Sequence, residues 1–158
     1  MIRINVSLDV AGRSLLAAVL AVMLSSVPAK AETNLPPVPD AYQLSLLIYA
    51  TMTALDQANT SGNYSVLRDL AAPDFQRLNP AQKLAGIFAR YRERRVVLAP
   101  VVLYQPRLLQ EPSVGPQGIL RLKGFFPTRP LRIGFDLSYQ RVEGSWRLMA
   151  LSISPSEG

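Results

Sequence analysis

The 158-residue chain contains no cysteine and no histidine. Without cysteine there is no disulfide and no thiolate nucleophile, so the folded domain must hold together by packing alone. Without histidine, imidazole acid–base chemistry, histidine-based triads and the usual zinc and iron sites are excluded, and no metal or cofactor is expected. Acidic residues are also scarce, 11 against 17 lysines and arginines, for a net charge of +6. The apolar run Leu15–Leu24 is well short of the roughly 20 residues that a spanning helix needs.

That run has instead the length of a secretory h-region. Arg3 and Arg13 precede it, and Ser25 to Ala31 follows, with Ala29 and Ala31 in the small-x-small pattern of a cleavage site. These features predict a cleavable signal peptide over residues 1–31, general (Sec-type) export, and a periplasmic or secreted protein cut after Ala31. No cysteine follows the run, which excludes a lipid anchor, and no Arg-Arg pair precedes it. Loss of Arg3, Arg13, Lys30 and Asp9 leaves 14 basic and 10 acidic residues, a net +4. The remaining 127 residues suffice for one core burying about two-thirds of the chain surface.

Glu32 to Pro39 is proline-rich and reads as a flexible lead-in. Asp40 has the position of an N-cap, with Gln43 as the capping-box partner. Leu44, Leu47, Ile48, Met52 and Leu55 then recur at helical spacing. Leu46, Tyr49 and Ala50 widen the apolar surface, which predicts a helix buried on more than one side. Gly62 suits the left-handed position that would end it. Asn63 caps a second, shorter helix with Tyr64, Leu67 and Leu70 on one face; Pro73 interrupts it, and Phe75 and Leu78 extend the contact. Asn79-Pro80 starts a third helix, with Leu84, Ile87, Phe88 and Tyr91 inward and Arg90–Arg95 at the negative end of its dipole.

Val96 to Leu109 is the first expected β segment, marked by Pro100 and Pro106 as an edge or bulged strand. Leu120, Leu122 and Phe126 alternate with Arg121, Lys123 and Phe125. After the turn Pro127–Pro130, Leu131, Ile133, Phe135, Leu137 and Tyr139 alternate with Arg132, Gly134, Asp136, Ser138 and Gln140. Glu143-Gly144-Ser145 turns the chain into a last strand whose parity changes. Trp146 and Leu148 share one phase, Leu151 and Ile153 the other, and a bulge near Met149-Ala150 reconciles them. Helices followed by strands predict an α+β class: three N-terminal helices packed on one face of a curved, mostly antiparallel four-stranded sheet. The single domain is expected over residues 40–154, with a tail at 155–158.

Gly62-Asn63-Tyr64-x-x-Leu67-x-x-Leu70-x-Ala72-Pro73-x-Phe75 resembles a recurrent stretch of the nuclear transport factor 2-like superfamily. Gly144-Ser145-Trp146-Arg147-Leu148-x-x-Leu151-x-Ile153 is similar to that superfamily's last strand, and the element order agrees across nearly the whole exported chain. The resemblance implies a cone-shaped domain whose bent sheet and helices enclose a pocket, and an open sheet face through which such domains pair as homodimers. It does not choose among isomerases, hydrolases, dehydratases, ligand carriers and assembly modules. Steroid-isomerising members carry acidic residues just after the second helix. Phe75-Gln-Arg-Leu-Asn79 has none, which counts against an isomerase-like mechanism.

Asp136 is the one acid–base candidate. On a pocket face it would be desolvated and its pKa raised, as a general base needs, with Tyr104 or Arg121 as oxyanion partner. Alternation instead puts it in the polar phase with Arg132. Tyr91, Tyr104, Phe126, Tyr139 and Trp146 are candidate lining for an apolar ligand site, and equally the residue types of a packed core. Arg90, Arg92, Arg94 and Arg95 form one basic group, and Arg121, Lys123, Arg129 and Arg132 a second. On one shared surface they would suit an anionic membrane or wall polymer. The balance favours a non-catalytic binding or accessory domain for a small apolar ligand or an envelope protein. The alternative is a small pocket enzyme of isomerase, dehydratase or hydrolase type using Asp136. Export argues against a nucleic-acid partner.

Overall fold

The computed structural model describes residues 35–157; the expected signal peptide and its cleavage site lie outside the described residues. Residues 35–157 form one compact unit with its own hydrophobic core. Helix α1 (Ala41–Ser61) begins where its cap predicts. The Asp40 carboxylate accepts the Gln43 N–H at 2.7 Å, satisfying one free donor of the first turn. Gly62, at φ 74°, closes it by donating to the Ala58 carbonyl at 2.8 Å. The buried stripe runs Leu44, Ile48, Thr51, Met52, Leu55, Ala58. Leu46 and Ala50 face solvent, so α1 is buried along one side and not on several.

Four short helices follow: α2 (Ser65–Asp69), α3 (Pro73–Leu78), α4 (Ala81–Ile87) and α5 (Ala89–Glu93). The expected second helix restarts at Pro73, which has no N–H to continue a ladder, and the expected third breaks at Phe88. Three helices therefore become five. Such short segments bury only about a turn each, which leaves Leu70, Leu78 and Ile87 exposed despite their helical spacing.

Val96–Leu109 departs most from expectation. It forms a 3-10 turn at Ala99–Leu103, then the two-residue strand β1 (Arg107–Leu108), with an equally short β2 (Ser113–Val114) beyond. Pro100 lies in the first turn of the 3-10 segment, where a missing N–H costs nothing. The Leu98 N–H donates to Asp56 Oδ1 on α1 at 3.0 Å, holding the segment on the helix rather than in a ladder.

Strands β3 (Ile119–Phe126), β4 (Leu131–Val142) and β5 (Ser145–Glu157) make the antiparallel meander. Both β1 and β2 pair along the free edge of β3, so the sheet has five strands and stays open. Leu120, Leu122, Phe126, Ile133, Phe135, Leu137, Tyr139, Leu148 and Ile153 are all buried on its inner face. The predicted bulge is present. Ser138 pairs with Ala150 but Tyr139 with Leu148, leaving Met149 as the extra residue that turns both Leu148 and Ile153 inward. Strand β5 runs to Glu157, so residues 155–157 are strand rather than tail. Its free edge is partly covered, the Ala72 N–H donating to Leu148 O at 2.8 Å and the Tyr91 hydroxyl to Ile153 O at 2.9 Å. The lead-in is docked as well: Pro39 is buried and Pro36 lies beside Gly118.

Candidate functional site

An interior pocket was expected between the helices and the inner sheet face; side chains fill it instead. Tyr139 is 2% exposed, its hydroxyl donating to Leu47 O at 2.9 Å and accepting from Thr51 Oγ1 at 2.8 Å. Burial pushes its phenol pKa well above the ordinary value of 10, with the Thr51 bond opposing. Phe126 is fully buried against the Tyr49 and Phe135 rings, at centroid distances of 5.7 and 5.5 Å. Tyr91 spends its hydroxyl on the β5 edge. Tyr104 is half-buried, and its carbonyl accepts the Tyr49 hydroxyl at 2.8 Å. Phe126 and Tyr139 are therefore core residues, and Tyr91 and Tyr104 are tied to neighbouring elements. Of the five candidates, Trp146 and Tyr139 are brought together at one groove of about 180 Å³, which they border with Leu47, Ala50, Thr51 and Leu70. That is smaller than the roughly 300–1,000 Å³ of typical small-molecule sites.

Asp136 lies exposed on the opposite, outer face of the sheet, across from Lys123 on β3 and Ser152 on β5. It is open to solvent there and lines no enclosed pocket of the inner face. Its proposed partners are not gathered around it: Tyr104 sits against α1 on the covered side, while Arg121 pairs with Ser138 two positions along the strand. The two ion pairs among the described residues are Arg68–Asp69 and Arg77–Asp74, and Asp136 belongs to neither.

The two basic groups do not share a surface. Arg121, Lys123 and Arg132 alternate with buried Leu120, Leu122 and Ile133, which puts them on the outer face. The α5 arginines lie among the helices. Arg92 donates to the Tyr64 hydroxyl at 2.6 Å and sits 5.5 Å from its ring centroid, whereas Arg90, Arg94 and Arg95 are exposed. Arg129 is exposed in the turn between β3 and β4.

The outer face itself is the largest feature that residue-by-residue reading missed. Its centre is built of Gly134, Ser138, Ala150, Ser152 and Ser154. Arg107 and Arg147 share its phase with Arg121, Lys123 and Arg132, making five cations against the single acid Asp136. Arg132 lies over the Phe125 ring, 5.0 Å from its centroid. Two grooves mark the face. One of about 490 Å³ is bordered by Ser113, Arg121, Ser138 and Met149, and one of about 340 Å³ by Lys123, Arg132, Asp136 and Ser154. Alternation announced a polar face, but only the pairing register brings these residues from five strands together. No family model, curated protein or solved structure matches the chain.

Proposed function

We propose that the chain is an exported, non-catalytic binding module built on the nuclear transport factor 2-like plan, offering the open outer face of its sheet to an envelope protein. The observation that carries this reading is the contrast between the two faces. The inner face is filled by core side chains, whereas Arg121, Lys123, Arg132, Asp136, Ala150, Ser152 and Ser154 on the outer face are exposed. A floor of glycine, alanine and serine lets another backbone approach closely. Five cations to one anion favour an acidic polar partner over an apolar ligand, through electrostatic complementarity. The signal-like segment at residues 1–31 supports an envelope partner. The enzyme alternative is weakened because Asp136 is exposed and neither Tyr104 nor Arg121, the oxyanion partners it would use, lies directly opposite it.

A photo-crosslinking residue in place of Ser152 tests this in exporting cells. It should capture a discrete envelope protein, and the double variant Lys123→Glu/Arg132→Glu should abolish capture while keeping the fold. Capture from Val66 on the helical side, with none from Ser152, would overturn the reading.

A further inference from the structure

The segment that replaces the expected first strand carries a second surface. Leu98 and Val101 are 0% and 1% exposed and Tyr104 is half-buried; at three residues per turn they share one face of the 3-10 segment. The other face is aliphatic and open to water. Val102 is 57% exposed and Leu103 80%, the most exposed large hydrophobic among the described residues; Val97, just before, is 63% exposed. The segment is held in place from both ends, by Asp56 Oδ1 on the Leu98 N–H and by the Tyr49 hydroxyl on the Tyr104 carbonyl.

Arg94 and Arg95, both exposed, immediately precede this tip, and no acidic residue occurs from 94 to 110. They stand directly after the end of α5. The Arg95 N–H donates to Arg92 O and the Val96 N–H to Tyr91 O, both at 2.9 Å, around an Arg95 φ of 51°. This hydrogen-bond pattern ordinarily takes glycine at the left-handed position. Here the position carries a cation, two residues before Val97.

We infer that this tip docks the domain peripherally on a bilayer containing anionic lipid. Val97, Val102 and Leu103 enter the acyl boundary while Arg94 and Arg95 meet the phosphates. Exposed aliphatics close in sequence to cations that outnumber the one exposed acid beside them, Glu93, are what interfacial insertion requires. An acidic protein surface would use the arginines but leave the aliphatics without a partner. No helix among the described residues is long and apolar enough to cross a membrane, so this contact would lie at the interface. The inference is independent of the outer-face reading.

Residues 34–158, which contain the whole core and omit the apolar Leu15–Leu24 run, are the protein to test. They should co-sediment with phosphatidylglycerol-containing vesicles and bind pure phosphatidylcholine vesicles more weakly, with binding to the former falling as salt rises. Leu103→Asp should reduce binding at least tenfold. Arg94→Ala/Arg95→Ala should reduce it about 25-fold at low salt, about fivefold per arginine. These side chains are exposed, so melting temperatures should stay near that of the unaltered protein. Absence of vesicle binding overturns the inference, as does equal binding by Leu103→Asp. So does binding lost in Lys123→Glu/Arg132→Glu but kept in Arg94→Ala/Arg95→Ala. Failure of the Ser152 crosslink would leave it standing.

Discussion

Tyr139→Phe removes one hydroxyl from the interior and should change stability in a pH-dependent way. The hydroxyl donates to Leu47 O and accepts from Thr51 Oγ1, and Thr51 is only 7% exposed. Leaving those groups without it should cost about 1–2 kcal/mol at pH 7. Burial holds the folded-state pKa above the unfolded value of 10, so Tyr139 stays protonated in the native protein after the unfolded chain has begun to ionise. Its contribution is fully present below pH 10 and is lost as pH rises from there toward the folded value. The loss is about 1.4 kcal/mol per pH unit, and about 1.4 kcal/mol at pH 11. The variant cannot lose it. The stability gap of about 1–2 kcal/mol should therefore shrink to within about 0.6 kcal/mol of zero at pH 11. All other side chains are common to the two proteins and cancel in the difference. Urea unfolding of residues 34–158 at pH 7, 9, 10 and 11, followed by the single tryptophan, measures the gap. A gap that stays constant from pH 7 to 11 would refute the buried, hydrogen-bonded placement of Tyr139.

Gly124→Ala should cost more than about 2 kcal/mol, because the new methyl would strike the Arg107 carbonyl and approach Phe135 Cζ to 2.7 Å. Thermal unfolding reads the loss, and amide exchange should show β1 detached from β3. Glu143→Asn should stabilise by about 0.5–1 kcal/mol, since Glu143 (φ 50°) and Gly144 (φ 82°) form a two-residue hairpin loop that favours Asn-Gly. Asp56→Ala should cost about 1.5–3 kcal/mol by stripping the Leu98 N–H of its charged acceptor, and Asp56→Asn should recover part of that. Asp136→Asn should change stability by less than about 0.5 kcal/mol; a larger change in chemical denaturation would show that the carboxylate is bonded in a way its exposed position excludes.

Much of the fold was legible because it is specified over short distances. Asp40 and Gly62 bound α1 by local backbone chemistry, and the inward residues of β3 and β4 follow strict alternation. The parity change between Leu148 and Leu151 required an extra residue, and Met149 supplies it. Val96–Leu109 departs from its local pattern for the converse reason. Its valines and leucines suit a strand, but the β3 edge takes only two short segments, and Asp56, 42 positions away, takes the Leu98 N–H. No local spacing records that contact.

The candidate sites divide along the same line. Residue order alone determined that Asp136 belongs to the polar phase of β4 and that Tyr139 belongs to the apolar one. Whether the apolar phase enclosed a pocket or a core was decided by tertiary packing, through contacts such as the Thr51–Tyr139 bond across 88 positions. The sheet likewise put Arg121, Lys123 and Arg132 on one side and the α5 arginines on the other, although their compositions are alike. Periodicity prescribes which residues share a face. Only the packing of one element on another decides what that face meets, because that outcome depends on partners the local pattern does not contain.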